Sequence, residues 1–229
     1  MRQGIADSLG VGIGIFPLGF ALGLLVVQAG LPWWMAPALA IVVFAGSVEL
    51  LLVSMIATSA PLATIAVTVF ALNFRHVFYA LSFPVQNVKP GIARAYSIYA
   101  MIDEAYATYV LMPAEKLSGT RMVTGQALMQ AYWVVGGFAG VAVGTMLPKP
   151  IEGLEFALVA LFIVMALDAA RSKREIPQVV LAGLSVAFAM LAFPGSVLIV
   201  AVFAFTALLI ARFAFTRRGH EDDGGGAHA

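Results

Sequence analysis

The 229-residue chain contains no cysteine. That excludes a disulfide-stapled secreted scaffold, and with it cysteine-ligated zinc and iron–sulfur sites. Charge is also scarce: Asp, Glu, Lys and Arg make up 11% of the chain, against about a quarter in an ordinary soluble domain. The 13 Lys and Arg nearly balance the 12 Asp and Glu, leaving a net charge of +1, so there is no general basic footprint for nucleic acid. No Gly-x-x-x-x-Gly-Lys-Ser/Thr loop occurs, so the chain does not itself hydrolyse ATP by P-loop chemistry. No His-Glu-x-x-His spacing occurs, and no other set of His and acidic residues has recognisable ligand spacing. We therefore expect no catalytic residues, no metal and no cofactor. Long polar loops are missing as well, which leaves no room for a soluble domain.

What the chain has in excess is apolar surface. Hydrophobic residues make up 62% of it and its mean hydropathy is +0.97. A water-soluble body of this size could not hide so much, so the sequence predicts an all-α integral membrane protein. A helix needs roughly 20 apolar residues to cross the hydrocarbon layer. Eight segments qualify, at about 9–29, 34–57, 62–83, 93–112, 120–147, 154–170, 176–193 and 196–215. They predict a polytopic bundle of about 7–8 transmembrane helices. The first, second and fourth are candidates for broken or re-entrant helices, with breaks expected near Pro17 or Gly46. Residues 1–216 read as a single transmembrane transport domain and 217–229 as a disordered polar tail. The amino terminus lacks the look of a cleaved signal, since Asp7 interrupts a thin basic region and the apolar run continues past Leu25. With eight spans, Arg2, Lys116, Arg121, Arg171, Lys173, Arg174, Arg212, Arg217 and Arg218 collect on one side, and Lys89, Arg94 and Lys149 on the other. That bias puts both termini in the cytoplasm.

Ionisable residues inside a hydrocarbon slab are costly and face a protein interior or a wet cavity, so the mid-span polar residues carry the information. Glu49 lies deep in the second segment, Asn73, Arg75 and His76 in the third, Asp103 and Glu104 in the fourth. Helical spacing puts Asn73, His76 and Tyr79 on one face, with Arg75 turned toward Tyr79 and Ser82. Tyr96, Tyr99, Asp103 and Tyr106 form a second stripe, with Glu104 beside it. Such stripes could line a polar cavity. Equally, Arg75 could pair with Glu49 or Asp103 simply to lock the bundle, and an ion pair can serve both ends. Histidine changes charge near neutral pH, so His76, with Glu49, is a candidate for proton coupling.

The glycines also have two readings. Gly10/Gly14, Gly19/Gly23, Gly136/Gly140 and Gly140/Gly144 have the four-residue spacing that lets membrane helices approach closely. Phe16-Pro17-Leu18-Gly19 and Phe44-Ala45-Gly46-Ser47 instead suggest helix breaks, because proline lacks an N–H and glycine tolerates unusual dihedrals. Broken helices expose N–H groups to a carboxylate and carbonyls to a cation. The two charged ends of an amino acid suit that arrangement.

At these residues the chain resembles a known family. Phe16-Pro17-Leu18-Gly19-Phe20, Val43-Phe44-Ala45-Gly46-Ser47, the run Leu72-Asn73-Phe74-Arg75-His76-Val77-Phe78-Tyr79-Ala80-Leu81-Ser82, Asp103-Glu104 and Gly153-Leu154-Glu155-Phe156-Ala157-Leu158 are similar, in order, to motifs of the AzlC family. The resemblance runs from about Gly4 to Ala170, and the asparagine–arginine–histidine element is its most specific part. It implies the large subunit of a two-component exporter of branched-chain amino acids, partnered by a small multi-span AzlD-type protein in the inner membrane. Two positions depart from the pattern: Glu49 stands where the family commonly has Gln, and Glu155 where it usually has Asp.

The expected function is secondary export of branched-chain or related neutral amino acids by alternating access, driven by the proton-motive force. Arg75 or a broken-helix N-terminus would hold the substrate carboxylate, and Glu49, Asp103 or Glu104 the ammonium. The alternative is the permease subunit of an ATP-driven transporter.

Overall fold

The computed structural model describes residues 1–149, 151–153, 156, 159–160, 163, 167, 176–195 and 197–224; within these, the side chains of 198 and 213–224 are not described. Every regular element longer than one turn among the described residues is an α-helix. We label them α1 (Arg2–Gln28), α2 (Met35–Val42), α3 (Gly46–Ala57), α4 (Leu62–Asn73), α5 (His76–Ser82), α6 (Ile92–Tyr99), α7 (Asp103–Val110), α8 (Gly119–Met146), α9 (Ile176–Ala192) and α10 (Val197–Gly224). The chain divides into two compact units, Met1–Ile65 with Leu72–Val159, and Ala66–Ala71 with Ala160–Ala229. In the second, α9 and α10 pack on one another. The first carries nearly all the polar residues singled out above.

Among the described residues, three stretches are long and apolar enough to cross a membrane: Arg2–Gln28, Leu62–Ser82 and Gly119–Met146. The second and fourth expected spans are each two short helices with an irregular joint. Most of the sixth expected span lies outside the described residues, as do Glu155 and the basic cluster Arg171, Lys173 and Arg174. α10 runs to Gly224, and residues 225–229 of the expected disordered tail lie outside the described residues.

The backbone of the first unit is the pairing of α1 with α8. Of the buried positions of α1, Gly4, Ser8, Gly12, Ile15, Gly19, Leu22 and Val26 recur every three or four residues along one face, and Gly23 and Leu24 are buried beside it. Small residues on that face bring the two backbones nearly into contact. A Cβ on Gly19 would sit 2.5 Å from the Trp133 carbonyl oxygen, one on Gly23 2.1 Å from that of Gly137, and one on Gly140 2.0 Å from that of Phe20. Gly4 meets Arg121 and Gly125, while Gly144 meets Val27, so the two helices run parallel.

The expected break at Pro17 is absent, because α1 is continuous through it. Proline deletes one helical hydrogen bond, but the turns on either side are clamped to α8 through Gly12 and Gly19. The break expected near Gly46 is present.

At the shared N-terminal end of α1 and α8, Arg121 forks onto Asp7, with Nε–Oδ2 at 2.6 Å and Nη2–Oδ1 at 2.7 Å. Both side chains are mostly buried. A bidentate pair of this kind is costly to break from one side, since the orphaned charge stays behind. Arg121→Gln should therefore lower unfolding stability in detergent by about 3 kcal/mol. The exchange Asp7→Arg with Arg121→Asp should recover part of that loss, read as the thermal midpoint of the purified protein.

Candidate functional site

Two helix breaks face one another in the first unit. The first lies between α2 and α3, where Phe44 adopts a positive φ of 43° and Ala45 is extended at φ −143°. The second lies between α6 and α7, where Ile102 is extended at φ −74°, ψ 166°. Freed backbone groups at membrane depth need partners from neighbouring elements, and α8 supplies several of them. Gln126 donates to the carbonyls of Ser97 at 2.9 Å and Ala100 at 3.0 Å, and accepts from the Ser97 hydroxyl at 2.7 Å. Gln130 accepts from the Tyr96 hydroxyl at 2.9 Å and donates to the Tyr99 oxygen at 2.8 Å. Tyr99 in turn donates to the Ile41 carbonyl at the end of α2. Trp133 donates its indole N–H to Glu49 Oε2 at 3.0 Å. Glu49 Oε1 accepts the Ala45 N–H at 2.9 Å, closing the start of α3. Glu49 is 0% exposed, and each of its oxygens already serves a donor.

Gln126, Gln130 and Trp133 were not among the residues singled out from sequence. Their signal was present: spacings of four and three put them on one face of an otherwise apolar helix. Ser97 gave no such signal.

The third segment bends where its motif lies. Between α4 and α5 the helix tightens, with Val77 N–H donating to Phe74 O at 3.1 Å and Phe78 N–H to Arg75 O at 3.0 Å, the i→i+3 pattern of a 3₁₀ turn. Asn73 and His76 line a cavity, Arg75 and Tyr79 reach Asp103, and His76 packs edge-on against Tyr79 at 5.2 Å between ring centres. Arg75 Nη2 lies 2.9 Å from Asp103 Oδ2 and donates to Ser47 Oγ at 3.4 Å. Tyr79 donates to Asp103 Oδ1 at 2.9 Å and stacks on Tyr106 at 4.0 Å between ring centres. Arg75 thus ties the first turn of α3 to that of α7. Of the two partners open to it from sequence, the structure gives it Asp103.

The stripe Tyr96, Tyr99, Asp103 and Tyr106 does not survive as one face, because the break at 100–102 divides it. Tyr96 and Tyr99 turn to Gln130, and Asp103 and Tyr106 join the α5 side. Glu104 is separated from its neighbour. It lines a groove of about 460 Å³ with Gly10, Gly14, Leu18, Ala107 and Thr108. Phe16, Pro17 and Gly19 also lie away from the breaks. A Cβ on Gly136 would meet the Phe16 carbonyl at 2.5 Å and one on Gly19 the Trp133 carbonyl, which puts this element on the α1–α8 seam, with Pro17 exposed. Gly46 and Ser47 form the first turn of α3.

Between the breaks is a cavity of about 200 Å³. Its lining mixes apolar residues, Val43, Phe44, Ala45, Met101 and Ile102, with the polar Asn73, His76 and Tyr99. It is small beside pockets for drug-sized ligands, which start near 300 Å³. Among the described residues no group of three or more His and acidic side chains is arranged to hold a metal ion.

Discontinuous helices meeting around a small, part-polar cavity, in a chain with membrane-length apolar helices, define an all-α membrane protein. The AzlC protein family model matches residues 10–147, and the chain belongs to that family. It is 28% identical over 190 residues to the branched-chain amino acid transport protein AzlC of Bacillus subtilis, covering 81% of this chain and 74% of that protein. It is 26% identical over 184 residues to the inner membrane protein YgaZ of Escherichia coli, covering 76% and 75%. An uncharacterized membrane protein of Helicobacter pylori is 26% identical over 169 residues, covering 73% and 74%. No solved structure matches the chain.

Proposed function

We propose that the chain is the large subunit of a secondary transporter that exports branched-chain or related neutral amino acids. It works with a small AzlD-type multi-span membrane protein in the inner membrane, with both termini cytoplasmic and the proton-motive force as driver. It is not an enzyme. The observation that carries this reading is the 200 Å³ cavity at two helix breaks, with a lining that is part apolar and part polar. A small amino acid with a hydrocarbon side chain needs both kinds of surface. The name of the Bacillus subtilis relative supports the same cargo.

Parallel α1 and α8 require an odd number of crossings between them. Arg75, at the joint of α4 and α5, is bonded to Ser47 in the first turn of α3 and paired with Asp103 in that of α7, so any movement that opens the cavity on that side must part the pair or carry it along. That makes the pair a candidate gate as well as a brace.

The test uses cells loaded with a leucine-containing dipeptide and expressing the chain with its small partner. Leucine efflux should rise, and an uncoupler should abolish it while ATP depletion at a constant proton gradient should not. Unchanged efflux in a folded complex would overturn the exporter reading, and loss on ATP depletion alone would favour an ATP-driven permease. Arg75→Ala should cut efflux by about tenfold or more, the loss of one charge-assisted contact. Arg75→Lys should retain part of it, because the charge remains while the fork geometry is lost.

A further inference from the structure

Depth in the first unit can be read along α8 (Gly119–Met146), on which Gln130 and Trp133 lie midway. Both ends of the fourth segment lie at the start of that helix. A Cβ on Gly119 would meet the Asn87 carbonyl oxygen at 2.5 Å and the Val88 Cα at 2.8 Å. Arg94, at the foot of α6, donates to the Val88 carbonyl at 3.0 and 2.7 Å. At the other end of the segment, Tyr109 donates to the Arg121 carbonyl at 3.4 Å. Between these ends Ser97 meets Gln126, and Tyr99 meets Gln130. The fourth segment therefore climbs to mid-helix as α6, breaks, and returns as α7.

The second segment enters from the far end. A Cβ on Gly144 would meet Val27, so α1 ends near the end of α8, and α2 starts seven residues after α1. By Ala40 it has reached the depth of Gln130, which donates to the Ala40 carbonyl at 3.5 Å. α3 starts at the same depth, with Glu49 on Trp133. The chain itself decides where α3 leads. α5 runs beside α7 toward the start of α8: Arg75 pairs with Asp103, Ser82 bonds Tyr106 at 2.7 Å, and Phe83 clusters with Tyr109 and Met122. At the helical rise, Leu62 lies about 20 Å from Arg75 in the opposite direction. If α3 also ran toward the start of α8, Ala57 and Leu62 would end roughly 35 Å apart, whereas five residues of chain reach about 18 Å at most. α3 must turn back.

We infer that segments two and four are re-entrant helical hairpins, inserted from opposite faces of the membrane and meeting tip to tip, each the gate between the cavity and its own face. The crossings of this unit are then the three stretches of membrane length, and the single crossing by α4 and α5 meets the parity that parallel α1 and α8 impose. Charge divides the same way. Arg2, Lys89, Arg94, Lys116 and Arg121 fall on the face where α8 starts. The connections 29–34 and 58–61 on the other face carry no charge, and the first exposes Trp33 and Trp34. Basic loops stay in the cytoplasm and tryptophan marks the membrane interface; crossings by segments two and four would put Lys89 and Arg94 outside.

The tips are the two breaks. Val43, Phe44 and Ala45 from one, with Met101 and Ile102 from the other, line the cavity. Arg75 holds both tips, through Ser47 and Asp103. A crossing followed by a hairpin occurs twice in the same order and in opposite orientation, as α1 with α2–α3 and as α4–α5 with α6–α7. Inverted repeats of this kind let one site face either side. The gating role rests on the transport reading, whereas the hairpins do not.

The lack of cysteine suits single-cysteine reporters. Ser59→Cys, Gln86→Cys and Ala114→Cys stand in exposed connections. Each is labelled with a membrane-impermeant maleimide in right-side-out and inside-out vesicles that hold the full chain with its small partner. The reporters at 86 and 114 should label from the cytoplasmic face only, and that at 59 from the outer face only. The reporter at 59 sharing a face with that at 114, and any other sorting, overturns the hairpins. Ser59 has a positive φ of 53°; should its variant fail to fold, Thr58→Cys takes its place. Ala45→Cys, at a tip, reads the gates. Under a proton gradient it should react from both faces, and leucine should slow both reactions. Reaction from one face only, or from neither, overturns the gating. Reaction from both faces without protection by leucine sustains the gates and sinks the amino-acid cargo.

Discussion

Gly23→Ala and Gly140→Ala should each destabilise the protein sharply, although alanine is the better helix former. A methyl on Gly23 would lie 2.1 Å from the Gly137 carbonyl oxygen and 2.7 Å from the Val141 nitrogen; one on Gly140 would lie 2.0 Å from the Phe20 carbonyl oxygen. These neighbours are backbone and cannot rotate away. The helices must separate, and the packing that holds α1 on α8 goes with them. Overpacking costs roughly 1–3 kcal/mol and occasionally more, while the propensity gain from glycine to alanine is about 1 kcal/mol at most. We expect a net loss of about 2 kcal/mol for each variant. The double variant should lose less than the sum, because the two positions touch and one separation of the helices relieves both clashes.

Gly10→Ala and Gly14→Ala are the controls. A Cβ at either meets nothing within 4 Å, so both should be neutral or slightly stabilising. Unfolding in denaturant, in one detergent, measures all five variants. Equal effects at all four glycines would mean that the α1–α8 seam is not where the structure puts it.

The second large effect is at Glu49. Glu49→Leu is close in size but removes the acceptor of two buried or part-buried donors, the Ala45 N–H and the Trp133 indole. Each stranded donor costs about 1–3 kcal/mol, so the variant should lose roughly 2–6 kcal/mol in total. The first turn of α3 should fray, and the cavity wall at Val43–Ala45 with it. Leucine efflux should fall to background. Glu49→Gln keeps one acceptor oxygen and should lose about half as much. Trp133→Phe in the Glu49→Leu background should restore part of the stability, since one stranded donor is then gone. An unchanged thermal midpoint for Glu49→Leu would remove the strut role altogether.

How much of this could be read from residues alone depends on the kind of pattern. The break at Val43–Ala45 was legible because Ala45-Gly46-Ser47 and a mid-span glutamate stand in an apolar run. The turn at Asn73–Arg75 could be placed as a polar face, but not as a tightening of the helix. Pro17 misled, because a proline signals a break only where nothing else holds the helix. The glycine spacings named four possible close approaches without saying which were used. Gly19, Gly23, Gly136 and Gly140 meet backbone, whereas Gly10 and Gly14 face open space.

Composition and hydrophobic run length by themselves determined that this chain lives in a bilayer as helices, because scarce charge and long apolar segments leave no other way to satisfy the backbone. The motif residues determined the family. Only the tertiary structure decided the partners: Asp103 rather than Glu49 for Arg75, Trp133 for Glu49, and a place in the cavity lining for Asn73 and His76. The reason is geometric. Helical periodicity says which side chains share a face, but an irregular joint of three residues resets the face. What lies opposite is then set by a helix more than 80 residues away in the chain, as for Glu49 and Trp133.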